Sequence, residues 1–170
     1  MSYTPRLVVP NNGDIHYTRT GYGGVNPCIA GIPEAWTGSV LANCVGYCWG
    51  RWWELLNTNP HLCSYDAKYW WSYNDGYSRG SIPQLGAIIC FDSSNAGHVA
   101  IVEEIIDANT IRTSNSAYQQ TIFYTQTLTR GNNWTWNSNF TFQGFIYLPT
   151  QPIPQPDYIQ YILKKNRRIL

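Results

Sequence analysis

Charge is what this sequence has least of. Asp, Glu, Lys and Arg together make up 12% of 170 residues, about half the roughly 25% of an ordinary soluble domain. Basic groups exceed acidic ones by one, for a net charge of +1, which excludes whole-chain electrostatic attraction to nucleic acid as the main activity. No apolar run approaches the ~18 residues of a membrane span. The first 20 residues carry Arg6, Asp14, His16 and Arg19 with no continuous hydrophobic stretch, so neither a spanning segment nor a secretory signal is expected. Without such a signal a complete disulfide framework is not expected either, and five cysteines, an odd number, leave at least one thiol free. Internal repeats are absent.

Aromatic residues fill the gap left by charge. They reach 15%, with eight Trp and 13 Tyr, a composition that buries apolar area too readily to stay disordered. The length suits one domain with a packed core. Charge is also unevenly placed. After residue 150, Lys164, Lys165, Arg167 and Arg168 face only Asp157, whereas the first 150 residues hold seven basic groups against nine acidic. A body of −2 over residues 1–149 is therefore expected to precede a Pro-spaced linker and short basic tail over 150–170, of +3. That tail suits contact with an anionic polymer or a partner.

Residues 1–42, rich in Gly, Pro and Asn, read as loop lying over a core. From Asn43, a good N-cap, apolar residues recur at helical spacing until Asn57-Thr-Asn-Pro60, which predicts a helix of about 13 residues. Gly46 and Gly50 lie four apart on it and predict close approach of another element on that face. A second helix is expected from about Ser64 to Asn74. Strand signals follow at 86–92, 98–105, 110–114, 121–129 and 144–148. Helices followed by an antiparallel sheet argue for an α+β fold.

Cys44 follows the cap, so its sulfur is expected at the positive end of a helix, where a thiol pKa falls towards neutrality and free backbone N–H groups can receive an oxyanion. His98 opens a strand on which Ala100 and Val102 are expected to share its face and leave room for the helix. If the hairpin from His98 to Thr110 closes with an even-numbered loop, Asn115 lies across from Ala100 and diagonal to His98, placed to orient the ring. Cys, His and Asn in that order, on a helix and then strands, form the arrangement of papain-like cysteine peptidases.

The segments ANCVGYCWGRWWEL (42–55), PQLGAIICFDSSNAGHVAIVEEI (83–105), IRTSNSAY (111–118) and FQGFIYLP (142–149) resemble, in order, the CHAP family of cysteine, histidine-dependent amidohydrolases and peptidases of bacteria and their phages. The resemblance implies a papain-like α+β fold and cleavage of amide bonds in bacterial peptidoglycan, with Cys44 as nucleophile, His98 as base and Asn115 as third member. Many relatives have an acidic residue two positions before the Asn; Thr113 stands there. Some phage relatives bind calcium through aspartates just before the nucleophile. Residues 21–43 hold no Asp and only Glu34, so no metal or cofactor is expected. A zinc reading of Cys44, Cys48, His61 and Cys63 lacks a recognised ligand spacing. Cys48 and Cys90 read as core, and the adjacent Glu103 and Glu104 as surface charge.

Asn43 reads both as helix cap and as a side chain able to meet the substrate carbonyl. Trp49, Trp52 and Trp53 read as core, and Trp70, Trp71, Trp134 and Trp136 as lining for a sugar-peptide groove. The function expected is a phage-type lytic amidase or endopeptidase of Gram-positive peptidoglycan, either an endolysin made in the host cytoplasm and released to the wall or a virion-associated lysin. The competing reading is a non-catalytic, aromatic-rich wall-binding module.

Overall fold

Asn43 begins the α-helix as expected. Its side chain accepts the Val45 N–H at 3.0 Å, and helix α1 (Cys44–Leu56) runs until Asn57, whose left-handed φ of 54° ends it. The structure, a computed structural model, describes residues 3–29, 31, 36–134 and 137–149. Trp136, Glu34 and the Pro-spaced tail 150–170 lie outside the described residues. Gly46 and Gly50 serve the close approach their spacing predicts. A Cβ on Gly46 would meet the Val40 side chain at 2.7 Å, and one on Gly50 the His16 carbonyl at 2.6 Å. Asn26 Nδ2 also donates to the carbonyls of His16 and Gly46, so the N-terminal loop is tied onto the helix.

Strands β1 (Arg79–Gly80), β2 (Ile88–Asp92), β3 (His98–Asp107), β4 (Thr110–Asn115), β5 (Tyr124–Thr129) and β6 (Thr141–Ile146) form one antiparallel sheet in the order β1-β6-β2-β3-β4-β5. The fold is α+β. Alternation along the strands splits the interior into two cores. Ile88, Cys90, Val99, Ile101 and Ile146 pack with Val45, Cys48, Trp49 and Trp52 of α1. Ile89, Phe91, Ala100, Val102 and Phe145 pack on the other face with Ile111, Leu128 and Trp134. The β3 face towards the helix is thus Val99 and Ile101, not the expected Ala100 and Val102. The larger β-branched pair fills the space beside Trp49 and Trp52.

The expected helix over 64–74 is reduced to one 3₁₀ turn, Ala67–Tyr69. Beyond that turn Arg79 gathers the chain instead: its guanidinium takes the carbonyls of Trp70, Trp71, Tyr73 and Tyr77 at 2.6–3.2 Å and ion-pairs with Asp75. Glu103 also departs from expectation. It is fully buried because alternation along β3 puts it on the same face as Val99 and Ile101, against α1. There it accepts from Tyr3 Oη, the Arg6 N–H, Arg51 and Ser114 Oγ.

Candidate active site

Cys44 is the first residue of α1 and only 7% exposed. Backbone N–H groups of Val99, Val45 and Cys44 itself face its sulfur and favour the thiolate, yet desolvation is the larger effect and pushes the thiol pKa up. The expected fall towards neutrality is therefore reversed in the free protein. A helix N-terminus acts over its first turn, whereas burial strips the charged sulfur of most of its water. The Val99 contact also sets the sulfur beside the start of β3, one residue from His98.

His98 is buried, and burial lowers its pKa to about 4, a shift that the bond to Asn115 opposes. Its Nε2 lies 3.1 Å from Asn115 Oδ1. The ring nitrogen donates, since a carbonyl oxygen only accepts, so Nε2 carries the hydrogen and Nδ1 the lone pair. The expected register explains the meeting. Asp107 pairs with Thr110 across a two-residue loop, and Val102 and Ile101 pair with Thr113 and Ser114; one further step sets Asn115 across from Ala100. Two slips of one residue each, one between Ile105 and Asp107 and one at Glu103, keep Asn115 on the His98 face and carry it two residues closer.

Several residues beyond the expected three hold this arrangement. Tyr47 Oη donates to Ser114 Oγ at 2.7 Å, and the Asn43 N–H donates to Ser116 Oγ at 2.9 Å. These bonds tie β4 to α1 on both sides of Asn115. The Gln119 N–H donates to the Ala42 carbonyl. Tyr124 pairs with Asn115 across β4–β5; burial and the nearby Cys44 push its phenol up to about 12, so the hydroxyl stays protonated. The clue available in the sequence was the polar run Thr113-Ser-Asn-Ser116, all four of which are buried. Consecutive buried polar groups must find partners.

The proposed substrate contacts fare unevenly. Asn43 is buried, with Oδ1 engaged in the cap and Nδ2 donating to the Ile29 carbonyl, so its side chain is occupied with structure. Trp70 and Trp134 are 1% and 2% exposed and have no surface to line a groove. Trp70 Nε1 donates to the Tyr65 carbonyl, and Trp134 packs edge-on to Phe145. Trp71 is half-buried over Gly144, whose missing side chain makes room for the ring. Trp136 lies outside the described residues. Among those residues, one set of three ligating side chains lies close together: Asp14, His16 and Glu54. Glu54 is taken up by Arg6 and Arg51 and Asp14 by capping a 3₁₀ turn. No helix among the described residues is long and apolar enough to cross a membrane.

A solved structure of N-acetylmuramoyl-L-alanine amidase from Staphylococcus aureus is similar at 22% identity and a TM-score of 0.46, over 61% of this chain and 30% of that one. The chain thus spans under a third of that protein. The family comparison falls on the site itself: residues 34–117, the segment that supplies Cys44, His98 and Asn115, match the CHAP domain.

Proposed function

We propose that the protein is a peptidoglycan hydrolase that cleaves an amide bond by a thiol mechanism. The observation that carries this reading is the His98 Nε2 to Asn115 Oδ1 bond of 3.1 Å, beside a cysteine at a helix N-terminus. It makes Nδ1 the basic nitrogen of a ring whose strand begins against the Cys44 sulfur. Thiol and imidazole are both neutral at rest. As Sγ attacks the amide carbon, Nδ1 takes the thiol proton, and the Cys44 N–H meets the developing oxyanion. Collapse of the tetrahedral intermediate breaks the C–N bond as His98 returns the proton to the leaving amine. Water, deprotonated by the same nitrogen, then hydrolyses the thioester.

The CHAP match supports peptidoglycan as the substrate class. The finer reading is a lysin of Gram-positive walls, amidase or endopeptidase, of endolysin or virion-associated type, with the basic tail drawn to an anionic wall polymer. The wall-binding alternative loses Trp70 and Trp134 to the interior. Replacement of Cys44 by Ala should abolish release of amino groups from purified Gram-positive peptidoglycan while circular dichroism stays unchanged. Retained release would sink the proposal.

A further inference from the structure

We propose that Thr113 is a positioning residue that fixes the tautomer of His98 through Asn115. The inference rests on His98 acting as the base. A side-chain amide has two ends of similar shape, and half a turn exchanges them. Asn115 therefore meets His98 with its oxygen only if another group claims its nitrogen. Thr113 is that group. It lies two residues earlier on the same face of β4, and Asn115 Nδ2 donates to its Oγ1 at 3.0 Å. The hydroxyl hydrogen is already committed, because Thr113 Oγ1 donates to the Gln126 carbonyl at 3.2 Å, across the Thr113–Gln126 pair of β4 and β5.

A hydroxyl whose one hydrogen is committed can only accept from its other neighbour. Asn115 must then turn its NH₂ to Thr113 and its oxygen to His98, and Nε2 must carry the ring hydrogen. The direction of donation is set by a backbone carbonyl, which cannot reverse. Thr113 and Asn115 are both 0% exposed, so bulk water cannot stand in for the hydroxyl. The device also adds no negative charge beneath the ring, leaving the imidazole neutral and able to take a proton.

Nitrogen-15 NMR of labelled histidine in the whole protein at pH 7 reads the tautomer without substrate. The wild type should be in the Nε2–H form. Thr113→Val removes the acceptor and frees the amide to turn. It should give a mixed or inverted tautomer, with kcat on peptidoglycan lower by about ten- to a hundredfold and KM little changed. Thr113→Ser, which keeps the hydroxyl, should restore both readouts. Should the valine methyl disturb the fold, Thr113→Ala asks the same question without it. A Val or Ala variant that keeps a pure Nε2–H ring, or a Ser variant that fails to restore it, overturns the inference. If instead the tautomer follows Thr113 while wild-type protein cleaves no wall, the proposed function fails and this inference stands.

Discussion

A buried, neutral His98 has a consequence for pH. The free imidazole has its pKa lowered to about 4 by burial, from an ordinary value of about 6.5. In the proposed mechanism the base form takes the thiol proton, so activity should persist wherever the ring is unprotonated and be lost as pH falls through the folded-state value. A plot of kcat/KM on soluble wall fragments should therefore be level from about pH 8 down to about pH 5, with its acid limb near pH 4. That limb reports the free enzyme. An acid limb near 6.5 would mean that the ring is solvated and that the burial argument fails. The placement of these residues was legible in the sequence: Cys44 at a helix start from its place after a cap, and Asn115 across from Ala100 from strand parity. Their electrostatics were not, because burial is a property of what packs around a group, and the helix-dipole argument used for Cys44 contains no such information.

At the scale of elements, the chain's own punctuation reads well where each signal is local. Asn43 and Asn57 bound α1 as their types predict, and five strand segments appear in order, with shifted ends. β6 begins at Thr141, ahead of the Gly144 expected to open it, and the short β1 is unannounced. The failures involve distant partners: Arg79 gathers the carbonyls of the segment before it, and Glu103 is buried against Arg51 of α1. Gly97 joins these two kinds of information. It has a φ of +73°, and a Cβ there would meet the Lys68 nitrogen and the Phe91 carbonyl oxygen, each at 2.6 Å. Both obstacles are backbone and cannot swing aside. Gly97 thus lets the 3₁₀ turn, through the Lys68 N–H bond to the Ala96 carbonyl, lie against the first residue of β3. Gly97→Ala should cost at least about 1 kcal/mol, a drop in Tm of at least about 2–4 °C for a chain of this size. Activity should fall further than stability because His98 is the next residue. A melt and an activity assay on the same sample check this; unchanged values for both would mean the turn has more room than its geometry allows.

Over the whole molecule, one buried charge network joins the N-terminal segment, α1, β3 and β4. Glu103 draws in the N-terminal segment through Tyr3 and the Arg6 N–H, α1 through Arg51, and β4 through Ser114. Ser114 in turn accepts from Tyr47, so the network ends one residue from Asn115. Arg51 is the cation at its centre: it pairs with Glu103 and Glu54 and donates to the Thr4 carbonyl at 2.7 Å. Glu103 is 0% exposed and Arg51 6%. Such a pair is weak as a source of net stability, since desolvation offsets most of the attraction, but removing one partner leaves an uncompensated buried charge. Arg51→Met, close in volume and apolar, should therefore cost about 3–5 kcal/mol, measured as a lower urea midpoint. Glu54 would still have Arg6, so the loss should centre on Glu103. Adding Glu103→Gln to Arg51→Met removes the stranded charge and keeps a side-chain oxygen for Tyr3 and the Arg6 N–H, with the amide NH₂ turned to Ser114 Oγ. The double variant should recover part of that loss, whereas in an apolar-packing account the second substitution would only add to the damage.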